Sequence, residues 1–266
     1  MSAVDSPVNN NAAAAGKPVA LATRGLSRSF GSLVVARDID LNLPVGARYA
    51  LIGPNGAGKT TLINLMTGML APNAGQIILG GEDVTALTPQ ARVKRGLART
   101  FQINTLFAGL SALEAVTLAV SERRGIAGNF WQNVGFDKDA IDEAYDILKR
   151  LRLGDDCYRP TRELPYGRQR LLEIALALAT RPKVLLLDEP AAGVPHEESG
   201  EIFEVVASLS DDLTLLFIEH DMHVVFRFAT HIIVLVGGAV FTEGSPAQIS
   251  ADPGVREVYL GKRHHG

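Results

Sequence analysis

The sequence predicts an α/β protein: a parallel sheet, an antiparallel β-layer ahead of it and a helical segment inserted into it. Three observations predict this. Apolar runs of strand length at 50–52, 184–187, 213–218 and 232–236 recur between helix-like stretches. Strands alternating with helices imply parallel pairing with right-handed crossovers. From 20 to 52, by contrast, short β-like runs are broken by Gly31, Pro44 and Gly46, with alternation in Ile39-Asp40-Leu41-Asn42-Leu43, the pattern of antiparallel strands. Between Gln102 and Leu164 the β signals thin out and a helical period takes over.

In chain order, residues 1–18 are rich in Ala, Asn and Ser and read as a disordered leader, without the apolar core of a signal peptide. The antiparallel layer feeds the strand at 50–52. Residues 61–69 fit a helix, 71–75 (APNAG) a turn, and 76–79 a strand, and Thr88 is placed to cap a helix with Pro89 at its first position. The most periodic stretch is 139–153, with Ile141, Ala144, Tyr145, Leu148 and Leu151 on one stripe. Residues 125–135 hold the single tryptophan, Trp131, and read as a loop insertion or partner contact, a satellite-core role for the ring being equally open. A helix at 170–179, a strand at 184–187, a helix at 197–209, a strand at 213–218 and a helix from Asp221 follow. Gly237-Gly238 marks a hairpin, and Ser245-Pro246-Ala247-Gln248 a capping box. The expected organisation is one domain over 19–262, a helical subdomain at about 103–180 within it, and a tail at 263–266.

With 266 residues, 47% apolar and 21% charged, the chain can build one large core. Its 26 basic and 29 acidic residues leave a charge of −3, so the bulk balance argues against a general nucleic-acid binder. Cys157 stands alone, which excludes an internal disulfide and a cysteine metal site and agrees with a reducing compartment. The longest apolar runs fall far short of the ~20 residues of a spanning helix, so any membrane link goes through a partner.

Chemistry enters at Gly53-Pro54-Asn55-Gly56-Ala57-Gly58-Lys59-Thr60, followed by Thr61. This is the pattern G-x-x-x-x-G-K-[ST] of a Walker A loop between a strand and a helix. Its glycines turn backbone N–H groups toward the β- and γ-phosphates, Lys59 reaches the terminal charge, and the Thr60 hydroxyl can ligate magnesium. The helix that starts there adds the positive end of its dipole. A second apolar strand ends in Asp188-Glu189, where unpaired carboxylates are costly. Asp188 suits the metal side of nucleotide hydrolysis and Glu189 the proton of the attacking water. His220, after the strand 213–218, stands where it can face the γ-phosphate; such a histidine on its own is more often a core residue.

Five motifs occur in order: GPNGAGKTT at 53–61, RTFQ at 99–102, LPYGRQRLLEIA at 164–175, LLLDEP at 185–190 and IEHDM at 218–222. Together they resemble the nucleotide-binding domain of an ABC transporter, a P-loop NTPase core. The resemblance implies ATP and Mg²⁺ as ligands and a head-to-tail pair of ATPase subunits, each site closed by the other subunit's signature segment. It also implies that Phe30 stacks on adenine and that Gln102 touches magnesium or the water and signals to a permease. RTFQ followed by Leu106-Phe107, the tyrosine in the signature, LLLDEPAAG, IEHDM and the tail Asp252-Pro253 to Tyr259-Leu260-Gly261 are similar to the ATPase subunits of branched-chain amino-acid importers. An importer of that kind adds membrane permease subunits, an extracytoplasmic solute-binding protein at one remove, and a peripheral place on the cytoplasmic face of the inner membrane. A heterodimer of two ATPases, or a homodimer, fits the pattern.

The signature departs from LSGGQ: here it is Leu164-Pro165-Tyr166-Gly167-Arg168. The serine hydroxyl is missing at Pro165, and at roughly 1.5–3 kcal/mol for a bond to a charged group the loss is one to two decades in affinity. Arg168 adds a compensating charge nearby. Pro195 also stands where the D-loop pattern has Asp or Asn. These changes affect the site completed by the partner's Walker loop, so two unequal sites are expected. Rival readings are a lipid or lipopolysaccharide transport ATPase, a soluble non-transport ABC ATPase, and a nucleotide-gated subunit with little turnover.

Overall fold

The computed structural model describes residues 17–100, 108–126 and 137–260. The expectations for residues 1–16, for Gln102, for Trp131 and for the tail at 263–266 lie outside them. Strands β1 (Val19–Phe30) and β2 (Leu33–Pro44) form a hairpin, and β3 (Arg48–Ile52) runs into helix α1 (Lys59–Thr67). β4 (Ala74–Leu79) and β5 (Glu82–Asp83) return to the hairpin, completing an antiparallel sheet of order β2-β1-β4-β5. The antiparallel layer expected ahead of the Walker strand is therefore present. After α2 (Pro89–Lys94), the short strand β6 (Leu97–Arg99) joins a second sheet. Helices α3 (Ala112–Arg124), α4 (Lys138–Arg150) and α5 (Tyr166–Ala179) pack on one another, followed by β7 (Val184–Asp188), α6 (His196–Ala207), β8 (Thr214–Ile218), α7 (Met222–Phe228), β9 (His231–Val236), β10 (Ala239–Gly244), α8 (Pro246–Ala251) and α9 (Pro253–Leu260).

The second sheet has the order β10-β9-β3-β8-β7-β6, parallel except for the β9–β10 hairpin. Its strands alternate sides with period two. Ala50, Ile52, Leu185, Leu187, Leu215 and Phe217 enter the core shared with α3 to α7. Leu51, Val184, Leu186, Leu216 and Ile218 enter the core shared with α1 and the antiparallel sheet. Both faces being buried explains why these strands read as unbroken apolar runs.

Local signals hold at several ends. The Thr88 hydroxyl accepts from the Ala91 N–H, with Pro89 opening α2, and Ser245 and Gln248 form both halves of the capping box on α8. Several expectations shift, among them β4, which begins at Ala74 inside the turn expected at 71–75. α1 begins at Lys59 rather than 61, and α5 at Tyr166 rather than 170. In α4 the buried face is Ala140, Ala144, Ile147 and Leu148, whereas Tyr145 is exposed. Of the expected stripe, Ala144, Leu148 and Leu151 are buried while Ile141 and Tyr145 are not, so the buried face is turned toward Ala140 and Ile147.

Arg92 is a buried cation, 1% exposed, that sequence patterning does not flag. It donates to the carbonyls of Leu65 (2.8 Å), Met66 (2.7 Å), Leu87 (3.2 Å) and Thr85 (2.8 Å). Two of these belong to the last turn of α1, whose negative dipole end the guanidinium covers. The far end of the Walker helix is thereby fixed.

Candidate functional site

The site follows from strand order. β3, β8, β7 and β6 are consecutive and parallel, with Leu51 opposite Ile218, Asp188 opposite Ile218 and Arg99 opposite Leu186. At spacings of about 4.8 Å per strand, everything that follows their carboxyl ends gathers along one edge. That edge receives the loop from Gly53, His220, Asp188-Glu189 and Arg99.

The loop needs its glycines for space as well as rotation. A Cβ on Gly58, at φ +100°, would sit 2.5 Å from the Val35 carbonyl oxygen, and one on Gly53 would sit 2.2 Å from that of Leu235. Gly58 leads directly into Lys59, the first residue of α1, so helix N–H groups open toward the loop. The Lys59 ammonium donates to the carbonyls of Gly53 (2.7 Å) and Pro54 (3.2 Å), not to a carboxylate. Desolvation draws its pKa below the ordinary lysine value, and the nearby charges of Glu189 and Asp188 oppose that drop.

Thr60, Arg99, Asp188 and Glu189 line one cleft of about 430 Å³. A larger groove of about 970 Å³, lined by Gly96, Lys183 and Asp212, opens at the opposite, amino ends of β6 to β8, far from the loop. Glu189 carries φ +48°, a left-handed conformation for a residue with a Cβ. Its N–H donates to Ile218 O (3.1 Å) and its carbonyl accepts from the Ala192 N–H (2.9 Å), which hold that strained geometry. The His220 ring is 74% exposed and so available to a ligand above the edge.

Beneath it lies Glu219, 3% exposed, which sequence reasoning passed over. Its carboxylate accepts from the N–H of Ala191 (3.3 Å) and of His220 (3.3 Å), linking the loop after Glu189 to the histidine. Burial pushes its pKa up, against the pull of those amides. Tyr259 on α9 is another residue whose chemistry the sequence does not reveal. Burial pushes its phenol up to about 12, opposed by an N–H of Gly53, so the carboxyl-terminal helix touches the start of the Walker loop.

The signature residues lie at the start of α5. Pro165 is the N-cap residue, offering no side-chain cap, and its carbonyl accepts from the Gln169 N–H (3.0 Å). Arg168 departs from the expected compensation: it donates to Arg152 O (2.7 Å) and lies 3.9 Å from Asp156 and 3.7 Å from Glu201. Its charge is taken up within its own chain, by a carbonyl and two carboxylates from other segments. Leu164 and Gly167 are buried, and Tyr166 accepts from Arg170 (2.6 Å), which also reaches Ala192 O (3.3 Å). The signature helix is thereby tied to the loop after Glu189. Pro195, for its part, caps α6 without a side-chain bond. Phe30, at the end of the β1–β2 hairpin, is 51% exposed with the Arg28 guanidinium 4.7 Å over its ring. Gln102 lies outside the described residues.

Comparison with known proteins shows the family. The ABC transporter family profile matches residues 36–192, and that of the branched-chain amino acid ATP-binding cassette transporter matches 239–265. Among curated relatives, the high-affinity branched-chain amino acid transport ATP-binding protein BraF of Pseudomonas aeruginosa is 37% identical, over 91% of this chain and 98% of its own. LivG of Escherichia coli, described in the same words, is 36% identical over 91% and 98%. Among solved structures, an ATP-binding cassette of an ABC transporter in its ADP conformation superposes with a TM-score of 0.82 at 30% identity, over 91% of this chain and 99% of that one. A nucleotide-free ATP-binding cassette gives 0.80 at 29% identity, over 91% and 98%. With a phosphate loop, paired carboxylates and a histidine on one sheet edge, and these likenesses along nearly its whole length, the chain belongs to the ABC transporter family, as one of its ATP-hydrolysing subunits.

Proposed function

We propose that this subunit powers an importer of branched-chain or related amino acids by closing on ATP with a second ATPase subunit and reopening after hydrolysis. The observation that carries the hydrolytic part is the convergence of Lys59, Asp188, Glu189 and His220 at the carboxyl ends of three adjacent strands. The amino-acid part rests on the match at 239–265 and on the names of the relatives.

The donor set suits Mg²⁺. Asp188 and the exposed Thr60 hydroxyl offer hard oxygens to one cleft, and no group of three or more His, Cys, Asp or Glu among the described residues could hold a metal alone. That is the habit of magnesium shared with substrate phosphates, with Thr60, Asp188 and Gln102 as the protein's share. When bound, the ion neutralises phosphate charge. Lys59 and the loop amides of residues 53–61 hold the triphosphate, Phe30 stacks on adenine, Glu189 takes the proton of the attacking water, and His220 and Gln102 sense the γ-phosphate. Leu164 to Arg168 serve the partner's nucleotide. The domain runs over 19–262, and its helical part, at about 103–180, carries closure to the permease. No helix among the described residues is long and apolar enough to cross a membrane. On the importer reading, the subunit works from the cytoplasmic face through permease contacts, with the solute-binding protein acting on the far side.

A second reading, a nucleotide-gated subunit with little turnover, is favoured by one observation: Pro165 brings neither hydroxyl nor N–H to the signature. Turnover measured in the assembled complex decides between them. Glu189→Gln should bind ATP and trap the closed dimer, and Lys59→Ala should abolish nucleotide binding. Retained binding in Lys59→Ala overturns the site, and silence of the wild-type complex favours gating. Comparing Glu189→Gln here with the matching change in the partner tests the unequal sites: equal losses remove the asymmetry.

A further inference from the structure

Arg99 ends β6 at the last described residues before the segment that carries Gln102. One guanidinium nitrogen donates to Asp188 Oδ2 at 2.7 Å and the other to the Asn64 side-chain oxygen, on α1, at 2.6 Å. The side chains of Arg99 and Asp188 are only 16% and 19% exposed. The Thr100 N–H donates to Leu186 O (3.1 Å), which pins the strand end beside β7. One cation thus braces the Walker helix against the carboxylate strand, inside the cleft that Thr60 and Glu189 also line.

Resting on the assignment of Asp188 to the metal side, we infer that Arg99 is the counter-ion that sets how strongly nucleotide binding depends on magnesium. A triphosphate entering the cleft meets Lys59 together with the acidic pair Asp188 and Glu189. With Arg99 on Asp188, one of those two negative charges is balanced before any divalent cation is considered. One carboxylate oxygen is engaged by Arg99 and the other is left for a cation or its water. Arg99 is on this account a positioning residue: it acts on Asp188 and does not itself touch the reacting atoms.

Without Arg99, free triphosphate faces an unbalanced carboxylate a few ångströms away in a partly desolvated cleft, whereas the magnesium complex brings its own compensating charge. The two affinities should therefore separate. At an effective dielectric near 20, one uncompensated charge at such a distance is worth on the order of a tenfold to hundredfold change in affinity.

The test is binding of the non-hydrolysable analogue AMP-PNP to the full chain by titration calorimetry, once with EDTA and once with excess magnesium. Arg99→Ala should weaken binding in EDTA by at least about tenfold while changing binding in magnesium little. Arg99→Lys should stay near wild type, and Arg99→Ala with Asp188→Asn should bring the EDTA affinity back. Equal weakening in both conditions would mean that Arg99 only braces the fold and would overturn the inference, as would a ratio unchanged from wild type. If wild type and Asp188→Asn both bind equally with and without magnesium, it is the metal assignment of Asp188 that fails. Thermal melting of each variant identifies loss of fold, and in that event Arg99→Lys and the double variant decide.

Discussion

Replacing Arg92 by methionine keeps most of the side chain's length while removing a buried charge that binds four carbonyls, so it isolates what the guanidinium does. The Leu65 carbonyl retains a partner, since the Gly68 N–H reaches it at 3.1 Å. Those of Met66, Thr85 and Leu87 lose a charged donor. At roughly 1–3 kcal/mol for each buried group left short, less the desolvation cost that no longer has to be met, the net loss is about 3–5 kcal/mol. Urea unfolding followed by far-ultraviolet circular dichroism measures it directly, as a lower midpoint at unchanged slope. Nucleotide affinity should fall as well, because the residue anchors the end of α1 opposite the phosphate loop. Arg92→Lys should recover part of the stability, one ammonium being able to serve two of the carbonyls. A loss below about 1 kcal/mol in Arg92→Met would refute the reasoning, for it would show that water or relaxation satisfies the helix end equally well.

Two further outcomes follow from particular contacts. Arg123 lies on Glu143 as a bidentate partner and Arg181 is at 2.9 Å, and together, Arg123 first, they hold the Glu143 carboxyl down at about 2 from an ordinary 4.5. A lowered folded pKa stabilises fully above the unfolded value and is lost as pH falls from 4.5 toward 2, so Glu143→Gln should cost about 1–2 kcal/mol at neutral pH and progressively less in that window. A deficit in unfolding free energy that does not change with pH would count against the ion pair. Phe30→Ala should weaken nucleotide binding about tenfold through lost stacking while leaving the melting temperature nearly unchanged, since the ring is 51% exposed. Unchanged affinity by fluorescence titration would remove Phe30 from the site.

The parts legible in the sequence were those whose cause is local. Glycine spacing announced the loop, unbroken apolar runs announced strands buried on both faces, and Thr88 and Ser245 announced helix starts because a cap is a contact over three residues. What stayed hidden depends on partners far along the chain. Arg92 reaches back to Leu65, Arg99 forward to Asp188, and Tyr259 back to Gly53; each reads in isolation as a solvated or core side chain. The face of α4 is legible in part: Ala144, Leu148 and Leu151 are buried as the helical period predicts, and Ile141 and Tyr145 give way to Ala140 and Ile147. Arg168 shows the limit from the other side. Its charge was visible in the sequence, but the carbonyl and carboxylates that absorb it come from other segments of the chain.

The left-handed backbone of Glu189 sets this position against the robustness of the molecule. A glycine or asparagine there would relax the chain, and the protein would become harder to unfold just as it lost the carboxylate proposed to accept the proton. The substitution Glu189→Gln inherits the same twisted peptide. Any difference between that variant and the wild-type enzyme therefore reports on the carboxylate alone, uncontaminated by release of the bend beneath it.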